Sequence, residues 1–255
     1  MRKQSGTTLN CFSPPVMLAT LSIEGMLAVY TLWRYKMTTI SRLITGIFVC
    51  LASFQTAEYF VCTGYGLRAE QWSRVGFVMI TLLPPLGLHL MHAIADKPKR
   101  KLVAASYVTM AGFVGVFSLY HAALVGHQCT GNYVIFQIGR TLGGLYSIYY
   151  FGWLFAGIGL GAVWANQLME KGKSVKKQLE SVRGLIVGYL VFLIPVALAN
   201  FVRPETRRGI PSIMCGFAIL LAFILAAYIL PRVGELKHEE ISQKSNDQHS
   251  SNSHS

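Results

Sequence analysis

The stretch LITGIFVCLASFQTAEYFVC, residues 43–62, decides the fold. At 1.5 Å of rise per residue a helix of this length covers about 30 Å, the depth of a bilayer's hydrocarbon core. The run carries one formally charged side chain, Glu58. Six further apolar runs accompany it: Pro15–Trp33, Val75–Ala95, Leu102–Val125, Leu142–Trp164, Gly184–Val202 and Ser212–Leu230. None alternates with a period of two, which argues against a barrel. The expected fold is therefore all-α: a polytopic membrane protein, a bundle of seven transmembrane helices within residues 1–234. Residues 235–255, ELKHEEISQKSNDQHSSNSHS, form a polar tail expected to be disordered. The opening MRK suggests a signal peptide, but the run that follows is long, contains Glu24 and lacks a small-residue cleavage site, so it reads as helix one.

Composition agrees. Charged residues make up 13% of the chain, about half the share usual in soluble domains, and the mean hydropathy is +0.44. A net charge of +12 could suggest nucleic acid. The basic residues, however, sit in the short gaps between apolar runs, where membrane topology accounts for them, and no nucleic-acid partner is expected. Fifteen Lys and Arg fall on one side of the bundle and eight on the other. That bias puts the N-terminus outside and the C-terminus in the cytoplasm, with Arg2–Lys3 and the RPETRR stretch (203–208) running against it. The basic cytoplasmic loops would hold anionic lipid headgroups.

Within the helices, Gly157, Gly161 and Ala165 recur every four residues, as do Gly184 and Gly188, and Ala111 and Gly115. Such strips let helices approach closely in lipid. Pro84–Pro85 and Pro195 each remove backbone donors, so helices three and six should kink or unwind beside a cavity or a packed neighbour.

Polar residues inside the spans are the functional candidates. Gln55, Glu58, Tyr59 and Cys62 share one stripe of helix two, with Glu58 roughly 6 Å below its outer end. Tyr120 and His121 are expected at matching depth on helix four, Thr81 somewhat deeper on helix three, and Glu24 near the midplane of helix one. Together these make a ligand or proton pocket in the outer half of the bundle. Burial penalises the charged form of a carboxyl or an imidazole, the property a proton switch needs. Glu58, His121 and His127 offer zinc-type donors, but no HExxH or paired Cys/His spacing supports them, and no metal or other cofactor is expected. His89, His92 and Asp96 share a face at the cytoplasmic end of helix three and read as headgroup-level residues. Of five cysteines, Cys62 and Cys129 both face the oxidising side and are the expected disulfide, which would pin the longest outer loop over the polar stripe. Cys11 and Cys215 could form a second bridge.

The stretches FQTAEYFVCTGYGLRAEQWSRVGFVMITLLPPLGLHL (54–90) and HQCTGNYVIFQ (127–137) resemble an uncharacterised family of bacterial seven-helix integral membrane proteins. More distantly, Glu58, Trp72 and Leu83–Pro84 are similar to the pattern in the N-terminal seven-helix sensory region of some histidine kinases. The resemblance implies a bacterial inner (plasma) membrane location and a bundle that senses a ligand or its surroundings. With no kinase in the sequence, its output would pass through a protein signalling partner. A proton-coupled transporter using Glu24 and Glu58 is the alternative, although no internal repeat is evident. An intramembrane enzyme with Glu58 and His121 as acid and base comes third and is not favoured, because no nucleophile stands at suitable spacing. Helix seven has no lysine for a retinal Schiff base, and no histidine or acid for a ceramidase-like hydrolase.

Overall fold

Seven helices follow the seven apolar runs, and all but the fourth outrun them. The computed structural model describes residues 14–97, 100–129, 134–171, 175–202 and 210–234. Its helices are α1 (Pro14–Arg34), α2 (Thr39–Thr63), α3 (Ala69–Ala95), α4 (Arg100–Leu119), α5 (Arg140–Glu170), α6 (Lys176–Val202) and α7 (Ile210–Val233). Each is long and apolar enough to cross a membrane. The protein is thus an all-α seven-helix bundle. Hydropathy marks only the hydrocarbon-depth part of a span, so the amphipathic turn AEQWSR at the start of α3 and the charged start of α6 were invisible to it.

α3 is the central helix. It packs against α2, α4, α5 and α6, while α1 lies in the groove between α2 and α7. α4 is peripheral and mostly exposed. Two glycine strips bring helices into close contact. A Cβ at Gly161 would stand 2.7 Å from the Met91 methyl of α3, and one at Gly184 would stand 2.7 Å from the Tyr228 ring of α7. The third strip does not pack: Gly115 has nothing within 4 Å of such a Cβ, and Ala111 is exposed.

The prolines neither unwind α3 nor interrupt α6. Pro85 cannot donate to the carbonyl of Thr81 four residues back. The Tyr149 hydroxyl of α5 donates to that carbonyl instead, at 2.6 Å. In α7 the turn Ile224–Ile229 is π-helical, with the Leu230 N–H bonded to the Leu225 carbonyl, immediately before Pro231. Arg232 closes this end, bonding the Tyr228 carbonyl at 2.7 Å and Glu180 Oε2 at 3.2 Å.

Helix four was expected to run to Val125 and instead stops at Leu119. The cause is Arg74 of α3, whose Nη1 caps the carbonyls of Phe117 at 3.0 Å and Tyr120 at 3.3 Å. The chain then makes a short 3-10 turn, His121–Ala123, and enters an antiparallel hairpin of β1 (Leu124–Cys129) and β2 (Val134–Ile138). The apolar residues Ala123, at the end of the turn, and Leu124, at the start of β1, are buried there rather than continuing a membrane span. Phe136 of β2 drives into the core between Phe54 and Phe77, with ring centroids 5.9 and 5.4 Å away. Cys129 is disulfide-bonded to Cys62 at the end of α2, with a Cα–Cα distance of 5.8 Å. Cys215 is a free, buried thiol on the inward face of α7, so the second bridge is not made; Cys11 lies outside the described residues, as does the tail 235–255.

Candidate functional site

Two polar features occupy the half of the bundle nearer the hairpin, and α7 contributes to the lining of both. The first is a knot of buried oxygens between α1, α2 and α7. On α1 the buried positions Met17, Thr20, Glu24, Ala28 and Thr31 recur at helical spacing and form one inward stripe. Glu24 is 0% exposed, Glu58 1% and Gln55 2%, so none of the three meets solvent or lipid. Both oxygens of Glu24, Oε1 of Glu58 and Oε1 of Gln55 lack a hydrogen-bond partner among the described residues. The two carboxyls stand close enough for their charges to repel, and Ser212 hydrogen-bonds the Glu58 side chain. A void of about 10 Å³ opens between Thr20, Gln55, Glu58 and Ser212.

The second feature is a cavity of about 430 Å³ walled by α3, α5 and α7 and bordered by β2. Phe77, Ile80, Phe136, Phe151 and Met214 supply its apolar surface. Tyr146, Tyr150, Ser147, Gln137 and the Cys215 thiol supply its polar points. No charged side chain lines it among the described residues. Tyr146 bonds the Thr81 hydroxyl at 3.2 Å, which fixes its ring against Phe77 and Phe117. Cys215 lines the cavity and lies within electrostatic range of Glu24 and Glu58, while its chain neighbour Gly216 lines the smaller void.

The expected site residues therefore divide. Glu24, Gln55 and Glu58 come together. Thr81 is buried but belongs to the α3–α5 contact, bonded to Tyr146 and Tyr149. Tyr59 is only half-buried and leans on Phe60, with ring centroids 5.6 Å apart. Tyr120 lies past the end of α4 and is 59% exposed, so it does not face the buried carboxyls. The backbone of His121 opens the 3-10 turn, and its side chain lies outside the described residues. His127 is exposed on the hairpin. Among the described residues no group of three His, Cys, Asp or Glu could hold a metal ion. At the opposite end His89 bonds the Tyr107 hydroxyl at 3.1 Å and His92 packs on Trp164, so both serve helix packing.

Sequence reasoning passed over Thr20, Ser212, Tyr146, Tyr149 and Tyr150, and saw in Cys215 only a disulfide partner. The signal for the tyrosines was present: positions 146, 149 and 150 share one helical face. No protein-family model matches the chain, and no curated protein matches it.

Proposed function

We propose that the protein is a small ligand-binding sensory module of a bacterial plasma membrane, with the cavity between α3, α5 and α7 as its receptor site. One observation carries this reading: a cavity of about 430 Å³, within the range of small-molecule sites, bordered by a hairpin that is covalently tied to α2. Aromatic walls without a charged group suit an uncharged, largely apolar ligand, and the tyrosine hydroxyls and Gln137 give its polar atoms partners. The hairpin end faces away from the cytoplasm in this reading. Two independent facts support that: among the described residues eleven Lys and Arg belong to the other end and three to the hairpin end, and a disulfide persists in an oxidising compartment. Binding would be felt on α3 and α7 and passed to a protein partner at the basic face, where anionic headgroups also gather. Proton-coupled transport ranks second, because Glu24 and Glu58 do not line the large cavity.

Native mass spectrometry of protein released from membranes tests the reading. Wild type should carry a bound small molecule, and Gly143→Trp, which projects an indole into the cavity, should lose it. An adduct retained at full intensity by that variant would place the ligand elsewhere.

A further inference from the structure

We infer that the void between Thr20, Gln55, Glu58 and Ser212 is a binding site for a small monovalent cation of about sodium's size. The inference does not depend on the receptor reading of the larger cavity. Its basis is the kind of atom that faces the void. Gln55 Oε1 and Glu58 Oε1 are both buried, and both lack a donor among the described residues. Thr20 gives its hydroxyl proton to the backbone of its own helix, to the Met17 carbonyl at 2.9 Å or the Val16 carbonyl at 3.1 Å. That leaves its oxygen lone pairs for the void. Glu24, with two further orphan oxygens, stands within repulsion range of Glu58. The unpaired atoms of the wall are therefore acceptors, and among the described residues no Lys, Arg or His lines it.

Buried acceptors left unpaired are costly, and a buried carboxylate without a counter-charge is more so. A cation satisfies the lone pairs and the charge together. Carboxylate, amide and hydroxyl oxygens are hard ligands suited to alkali rather than soft metals. The size, about 10 Å³, admits about one water-sized particle, so a single ion without its hydration shell, and the strong field of a carboxylate ligand favours sodium over potassium. The site also joins three helices, α1, α2 and α7, so an ion there would hold α1 to the bundle.

The test is the thermal midpoint of the full chain in nanodiscs, titrated from about 1 mM to about 300 mM NaCl with choline chloride holding ionic strength constant. The expected result is a midpoint that climbs with sodium, climbs less with potassium and stays flat in choline chloride alone. Glu58→Gln and Gln55→Leu should each abolish the sodium increment, while Gln137→Ala at the large cavity retains it. If Glu58→Gln does not fold, Gln55→Leu reads the same site. Equal midpoints in sodium and choline would mean that water alone fills the void and would overturn the inference. A full sodium response in Glu58→Gln or Gln55→Leu would put the ion elsewhere and overturn it too, and an equal response to potassium would overturn the preference for sodium.

Discussion

Tyr149 shows how one hydroxyl can make a proline tolerable inside a membrane helix. Pro85 leaves the Thr81 carbonyl without its helical donor, and no water reaches it in the bundle interior. Tyr149→Phe should therefore lower stability by about 1–2 kcal/mol, the cost of orphaning a buried acceptor. The decisive control is Pro85→Ala, which returns an N–H to the same carbonyl. In that background Tyr149→Phe should cost a few tenths of a kcal/mol at most, by the logic of a double-mutant cycle. Equal losses in both backgrounds, read from unfolding midpoints in detergent, would show that the hydroxyl does not serve that carbonyl. Arg74 plays a comparable part at the end of α4, where its guanidinium meets two terminal carbonyls and Glu70 at 2.9 Å. Replacing it with Met should cost about 1–3 kcal/mol by freeing those carbonyls. Amide hydrogen exchange would follow the change, with faster exchange expected in the last turn of α4 and little change in α6.

At the scale of elements, glycine spacing foretold close packing in two of three cases, and the exception is instructive. Gly184 and Gly188 face α7, where a Cβ would meet the Tyr228 ring or the Leu221 methyl at 2.7 Å. Gly115 obeys the same spacing but sits on peripheral α4 and faces nothing within 4 Å. Gly184→Leu should thus cost about 1–3 kcal/mol through overpacking, whereas Gly115→Leu should be neutral or mildly stabilising as a gain in helix propensity. Two variants with equal midpoints would show that α6 and α7 part readily enough to admit the side chain. The same contrast marks what a sequence can disclose about elements. Seven apolar runs reveal seven helices, because length and hydropathy are local properties. The stop of α4 is not local: it depends on Arg74, more than forty residues earlier, and on a hairpin that makes Ala123 and Leu124 apolar for a different reason. Tyr120 is consequently outside the bundle, where a helix continued to Val125 would not have left it.

The whole molecule is organised by what each end holds. The hairpin end carries the disulfide, the cavity and the oxygen knot; the other end carries the His89–Tyr107 and His92–Trp164 contacts and the Arg232–Glu180 pair. Half of this division was readable, because Glu24, Gln55 and Glu58 are polar residues in apolar runs and declare themselves. Their meeting with Ser212 and Cys215 was not, since that depends on α1 lying between α2 and α7 rather than on any spacing within a helix. The tie between Cys62 and Cys129 spans a sequence separation of 67, and closing a loop of that size stabilises a fold by about 2–4 kcal/mol. Reduction should lower the midpoint accordingly, and the most protected amides of α5 and α6, which exchange only on global unfolding, should lose protection by the same free energy. The disulfide also makes a prediction about sidedness that can be checked in living cells. If the hairpin end faces the oxidising side, a membrane-impermeant maleimide should label Leu67→Cys, on the exposed α2–α3 loop, above the wild-type background. Lys97→Cys, at the opposite end beyond α3, should label only after the cells are permeabilised. The reverse pattern would invert the topology. It would also force the bridge to form in a reducing compartment, against the chemistry of free thiols there, and the receptor reading of the cavity would then have to be rebuilt for a ligand arriving from the cytoplasm.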